Sequence, residues 1–297
     1  MSRSGHDDAR TADRDDALRP RAESAGAAPS DRFGRDLTLP QGDVRERVAW
    51  REGTVALRGS ETRVLATVGA FRVVPATDLE DLRGARDVWH GDVQHLAEER
   101  LLTRTRVAID GQPTAVLVLT REGKALLDAH QPARDDGRTQ QYHAGLVKPR
   151  ELPHDAQLYR LYQAEAARLH AEGARVTRVV LDYELKREYQ TFLHRRNQGD
   201  DADPESALQA FATAQQLPVV DGHLELPDVR LEVETPDGRL EVRDLELVTE
   251  HYSRGQLAGK ARAGFTLYRA AGGGGLRGGP ARTGGTPVDP RHLERLT

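Results

Sequence analysis

The chain has 297 residues, 37% of them hydrophobic, with 43 Lys and Arg against 47 Asp and Glu and a formal net charge of −4. With zero cysteines it has no disulfide, thiolate metal site or cysteine nucleophile, which fits a reducing, cytoplasmic setting. No apolar run approaches the roughly 18 residues of a membrane span, and a chain of net negative charge needs a local basic patch to hold nucleic acid.

Residues 1–46 are rich in Asp, Arg, Ala, Ser and Pro and lack apolar periodicity, so they are predicted to be disordered. Their charges have no apolar stretch behind them, unlike a signal peptide. The region 47–130 is patterned. Val64, Leu65, Val68 and Phe71 mark a helix that Pro75 interrupts, and Thr77 precedes a short helix with Leu79 and Leu82. A third helix carries Trp89, Val93, Leu96, Ala97 and Leu101 at steps of three and four. "RTRVAIDGQPTAVLVLT" then reads as two strands around Asp110-Gly111, and Thr120 opens a closing helix. Three helices, a hairpin and a closing helix predict a winged helix-turn-helix. The polar stretch at 131–150 is predicted to be a linker.

The region 151–271 opens on an amphipathic helix ending at Gly173, with Glu165 on the same face as Leu158. "RVTRVVLDYEL" reads as a covered strand. "DPESALQAFATAQQL" reads as a helix with Asp203 as cap and Pro204 in the first turn. A hairpin follows, turning at Pro236-Asp237-Gly238. Its return strand places Asp244, Glu246 and Val248 on one face. "GQLAGKARAGFTLYRA" reads as a final helix carrying Leu257, Lys260 and Tyr268. Residues 272–297 begin in a Gly-rich run and are predicted to be a disordered tail.

Several chemistries are not signalled. The eleven histidines include no HxxxH or HxH pair, and neither a phosphate-cradling Gly-rich loop nor GxSxG occurs. Asp228 and Glu246, brought together by the hairpin, are candidate Mg²⁺ ligands and catalytic carboxylates, with Glu165 and Lys260 as further candidates. In the helix-turn-helix region His90, Gln94, His95, Arg100, Arg104 and Arg106 are the candidate contacts to double-stranded DNA; Gln suits adenine and Arg suits guanine or phosphate. Between Arg83 and Lys124 there are seven Lys and Arg against six acids, a weak basic footprint.

"HLAEERLLTRTRV…GQPTAVLVLTREGKALLDAH", with its LT-x-x-G-x-x-L phrase at Leu119, Thr120, Gly123 and Leu126, resembles the recognition helix, wing and last helix of bacterial winged-helix proteins. Pro227-Asp228 and Glu246 resemble the first two parts of a PD-(D/E)XK nuclease site, with Val248 where that pattern has lysine. Taken together, with "LPHDAQLYRLY", "LPDVRLEV" and "LELVTE", residues 55–270 resemble the replication-relaxation family. That resemblance implies a winged helix followed by a degenerate restriction-endonuclease-like α/β domain. It also implies DNA binding in plasmid or mobile-element replication, mobilisation or regulation, as a homodimer or with replication and transfer proteins, and away from membranes. The alternatives are an active Mg²⁺-dependent DNA endonuclease and a non-enzymatic protein-docking adaptor.

Overall fold

The computed structural model describes residues 31–269 apart from 52, 81–85, 110–111, 134–137, 147–150, 199–202 and 250–251. The expected disorder of 1–30 and 272–297 lies outside the described residues. Residues 31–46 depart from the expectation. A short helix, α1 (Arg32–Arg35), packs there, and Phe33, Leu37 and Leu39 are buried. Three apolar side chains within seven positions suffice to anchor an otherwise polar stretch.

The first half comprises the hairpin β1 (Glu46–Trp50) and β2 (Gly53–Leu57), then α2 (Gly59–Phe71), β3 (Val74–Pro75), α3 (Ala76–Glu80), α4 (Arg86–Glu98), β4 (Leu102–Ile109), β5 (Gln112–Leu119) and α5 (Arg121–Ala129). The β1–β2 hairpin was not anticipated. Strands β3, β5 and β4 form an antiparallel sheet in that order. The LT-x-x-G phrase has a local cause. Thr120 Oγ1 caps α5 by accepting from Gly123 N at 2.9 Å and donates to Leu101 O at 3.0 Å. A Cβ on Gly123 would lie 2.2 Å from that same Leu101 carbonyl, so the helix start can abut the strand only without a side chain.

The second half comprises α6 (Leu152–Ala171), β6 (Arg175–Leu181), α7 (Asp182–Gln198), α8 (Pro204–Gln215), β7 (Val219–Val220), β8 (His223–Leu224), β9 (Val229–Glu234), β10 (Leu240–Val248), α9 (Arg254–Arg262) and β11 (Thr266–Arg269). Its main sheet runs β11-β10-β9-β6. β9 is antiparallel to both of its neighbours, β6 and β10, and β11 joins β10 in parallel through the α9 crossover. Two readings need correction. The strand expected over "RVTRVVLDYEL" stops at Leu181. There the Glu184 carboxylate accepts from Leu181 N at 3.2 Å and starts α7. The final segment is a helix only to Arg262, and Tyr268 sits on β11, where four residues of "FTLYR" fit a strand better than a helix.

One core runs through both halves. It joins Leu65, Val68 and Phe71 of α2 to Leu158, Tyr159 and Tyr162 of α6 and to Val176, Leu231 and Leu245 of the main sheet. Phe71 meets Tyr159 and Tyr162 at ring separations of 5.2 and 4.7 Å. The stretch expected as a linker is packed where it is described. Tyr142 is 2% exposed and donates to Phe33 O at 2.7 Å. The Gln140 side chain accepts from Val179 N at 2.8 Å and donates to Val179 O at 2.9 Å, along the open side of β6. Asp31 Oδ1 accepts from Val176 N on the same side, at 3.1 Å. A smaller, separate cluster (Val180, Leu185 and Leu217, with Phe211, Leu224 and Leu226) lies on the other face of the main sheet.

A shared core predicts shared unfolding. Phe71→Ala should cost about 3–5 kcal/mol, and circular dichroism and intrinsic fluorescence should report one coincident transition for wild type and variant alike. Two separated transitions would contradict the continuous core.

Candidate functional site

The sheet face opposite α6 gathers the hairpin acids. Alternation along β10 points Leu245 and Leu247 toward α6 and Asp244 and Glu246 away from it. Asp244 is accounted for by Arg230, which holds it through two bonds of 2.7 and 2.8 Å and also caps the end of α8 through Gln215 O and Gln216 O.

Glu246 has a different setting. It is 1% exposed, and its Oε2 accepts from Asp228 N at 3.2 Å. Asp228 returns the contact one residue further along, its Oδ2 accepting from Leu247 N at 2.8 Å. Tyr252 donates to Glu246 Oε1 at 2.5 Å, and Lys260 Nζ lies 3.2 Å from the same oxygen. Lys260 also donates to Leu226 O at 2.7 Å and sits 3.2 Å from Glu225 Oε2. On the opposite flank His154 Nε2 is 3.3 Å from Asp228 Oδ1, and its Nδ1 is 3.6 Å from Asp155 Oδ1. Two carboxylates are thus locked together and ringed by an imidazole, a phenol and an ammonium.

Burial first, and then the Asp228 charge, push the Glu246 carboxyl up to about 7, against the opposing pull of Lys260 and Tyr252. Burial disfavours a charged His154 ring. The hydrogen bonds and charges of Asp155 and Asp228 outweigh it and raise the ring to about 10. Lys186 on α7 is raised as well. Burial opposes its charge, and Asp182, Asp228 and Glu246 overcome that. At neutral pH Glu246 is therefore the group poised to take or release a proton.

Magnesium needs hard oxygen ligands and is held through one or two carboxylates plus water and substrate phosphates. Asp228 and Glu246 have the right chemistry, but Tyr252, Lys260, His154 and two backbone amides already engage their oxygens. Among the described residues no group of three or more His, Asp or Glu is placed to hold a metal ion. The donor set as arranged does not fit a resident divalent cation.

Glu165 is not part of this cluster. It accepts from Tyr268 Oη at 2.6 Å and from Arg168 at 2.7 Å, on the α6 face of the sheet. The helix periodicity that put it on the buried face is correct, but that face meets the side of the sheet away from Glu246. His154, Tyr252 and Glu225 were missed as site residues. His154 lies in the first turn of α6, where helix periodicity carries no sign of a partner beside β9, and nothing local marks a loop tyrosine as the partner of a strand glutamate. Lys260 was singled out, and its ammonium does lie beside Glu246.

The helix-turn-helix candidates divide. Gln94 is exposed on α4 and donates to Glu98 Oε1 at 2.8 Å. Arg100 is exposed just past the helix, at φ 58°. Arg104 and Arg106 are exposed and two apart on β4, an edge strand, so they share a face. His95 is a correction. Its Nε2 lies 2.9 Å from Ala56 O, because the unforeseen β1–β2 hairpin lies beside α4 and takes that flank. Asp92 on the same helix is buried and bonded to Arg58 at 2.9 Å. The His90 side chain lies outside the described residues.

No protein-family model, curated protein or solved structure matches this chain. Among the described residues no helix is long and apolar enough to cross a membrane.

Two outcomes are expected from the acidic centre. A carboxyl raised in the folded state leaves the unfolded chain with fewer bound protons, so its contribution to stability falls as pH rises from about 4.5 to above 7. Glu246→Gln should therefore gain melting temperature relative to wild type at pH 8 compared with pH 5. A constant difference across pH would contradict the raised carboxyl. The His154 ring, raised to about 10, adds stability that is fully present below its unfolded value of about 6.5 and is lost progressively as pH rises from there through 10. Its imidazole C2 proton in NMR should accordingly not titrate between pH 6 and 8, and a midpoint near 6.5 would refute the pairing with Asp228.

Proposed function

We propose that this is a double-stranded-DNA-binding protein whose first half is a winged helix and whose second half is a nuclease-like domain that does not cleave. The order α2-β3-α3-α4-β4-β5, with the sheet in the order β3-β5-β4, supports the first part. The order α6-β6-β9-β10-α9-β11, with three antiparallel strands and a parallel fourth, supports the second. Resemblance to the replication-relaxation family suggests the setting, plasmid or mobile-element replication, mobilisation or regulation.

The observation that carries the DNA-binding reading is the exposed pair Arg104 and Arg106 on the outer edge strand beside α4. Arginine side chains on a wing suit phosphate contacts, which position a protein without reading sequence. Gln94 and Arg100 are the exposed candidates for base contact. The exposed Glu98 and Glu99 next to them oppose the DNA charge and favour weak, salt-sensitive association.

The non-cleaving part rests on Lys260. Its ammonium lies 3.2 Å from Glu246 and supplies inside the protein the positive charge that a divalent ion would bring. Asp228 and Glu246 then act as a structural clasp between the start of β9 and the end of β10.

The expected outcome is duplex binding in a gel shift at low salt. Arg104→Ala with Arg106→Ala should weaken it and reduce the log K against log salt slope by about 0.9 for each phosphate no longer neutralised. Supercoiled plasmid should stay intact with Mg²⁺ or Mn²⁺, and 10 mM Mg²⁺ should leave the melting temperature unchanged, because a specifically bound ion would raise it. An unaltered slope in the double variant would refute the wing contact. Metal-dependent nicking would refute the non-cleaving domain.

A further inference from the structure

A groove of about 660 Å³ lies on the same sheet face as Glu246, between α7, the end of α8 and strands β6, β9 and β10. Five arginines line it: Arg138, Arg178, Arg187, Arg195 and Arg230. Among the described lining residues only Glu188 and Glu232 oppose them, so this wall is positive on a chain of net charge −4. Low-dielectric walls lined by one sign of charge focus the field and concentrate anions.

The arginines are not equally occupied. Arg230 is neutralised by Asp244, and Arg178 by Glu232 at 2.9 Å. Arg178 Nε, though buried, still lacks a hydrogen-bond partner among the described residues. Arg187 donates to a neutral group, Gln141 Oε1, at 2.9 Å, and both Arg187 and Arg195 are exposed. Arg187, Thr191 and Arg195 repeat every four residues along α7 and so form one row facing the groove.

The groove also has an aromatic wall. Phe192 and Phe211 line it, stacked at 4.6 Å and 28°. Tyr189 packs on both, at 6.0 and 5.5 Å. All three are only partly buried, in a chain with just 5 Phe and 7 Tyr. A row of arginines suits phosphates, and a partly exposed ring stack suits the flat face of an unpaired base. A duplex hides its base faces in its own stack, so it could use the arginines but not the rings.

We propose that this groove binds single-stranded DNA, with phosphates along Arg187 and Arg195 and a base against Phe192 and Phe211. The choice of DNA over RNA rests on the DNA-binding reading above; the single-stranded character rests on the groove itself. The strand would run along β9 toward the clasp, since Arg230 and Glu232 are two and four residues from Asp228, about 7 and 13 Å at roughly 3.3 Å per residue.

The test is fluorescence anisotropy on the full chain with labelled dT20, rU20 and a 20-base-pair duplex, at 50 mM salt and above. Wild type should bind dT20. R187A/R195A should weaken dT20 at least tenfold and lower its salt slope by about 0.7 for each phosphate left without its arginine. Phe192→Leu should weaken dT20 about fivefold or more with the slope unchanged, because it removes stacking and no charge. Circular dichroism confirms folding; if Phe192→Leu does not fold, competition replaces it, and unlabelled dT20 should displace the probe far better than heparin of equal charge. Duplex binding should survive R187A/R195A, and dT20 binding should survive R104A/R106A. Wild type that binds dT20 but not duplex would overturn the wing reading and leave the groove standing. The groove proposal falls if wild type ignores dT20, if R187A/R195A changes nothing, if dTMP competes as well as dT20 per molecule, or if rU20 binds more tightly than dT20.

Discussion

Helix α6 has to satisfy two sheets at once, and most of the structure follows from that demand. Its aromatic residues Tyr159 and Tyr162 meet Phe71 of the first half, while Leu158 and Leu161 belong to the same core as β6, β9 and β10. Its polar residues are committed in the same two directions. Arg160 holds Asp78 of α3 at 2.6 Å, Gln163 donates to Asp78 O at 3.0 Å, and Glu165 bonds Tyr268 of β11. Its first turn brings His154 to Asp228. One helix thereby fixes the orientation of the first half and one flank of the acidic centre.

Three of the buried carboxylates share one solution. Glu61 is paired with Arg45, Asp92 with Arg58, and Asp78 with Arg160, each acid fully or nearly fully buried and each arginine partly exposed. An arginine with its stem over the core and its head near solvent neutralises the acid without being wholly desolvated itself. Glu246 departs from this pattern. It receives a lysine, a tyrosine and a backbone amide, beside a second carboxylate. Burial and the neighbouring Asp228 charge leave the carboxyl with a raised affinity for protons despite that set, and this separates the centre from the ordinary ion pairs around it.

Much of the architecture was legible because its signals are local. The 3.6-residue spacing in α2, α4 and α6, the Thr120 cap and the alternation along β9 and β10 are each written within one segment. The alternation rule even placed Glu246 on the face away from Leu245 and Leu247. What was not legible depends on partners distant in sequence. Nothing near His95 announces that β2 will take its ring. Nothing in α6 says which face of the sheet Glu165 will meet, and Tyr252 becomes a site residue only when β10 ends beside α9. The strand-to-helix change at Leu181 was missed because "LDYEL" keeps its hydrophobic density across the boundary, and only the Glu184 bond to Leu181 N marks the break. Residues 138–146 looked like a spacer because their composition is polar. Tyr142 and Gln140 pack by single contacts that composition does not weigh.

Those single contacts bear on how the molecule meets other copies of itself. β6 is the last strand of the main sheet, and its outward peptide groups would otherwise offer a template for a further strand. The Asp31 carboxylate takes Val176 N, and the Gln140 amide takes both Val179 N and Val179 O. A side-chain amide with one donor and one acceptor imitates the peptide of a neighbouring strand and ends the ladder there. On that side the sheet is closed to extension, so self-association through strand addition is blocked by two residues from segments whose composition gave no hint of such a guard.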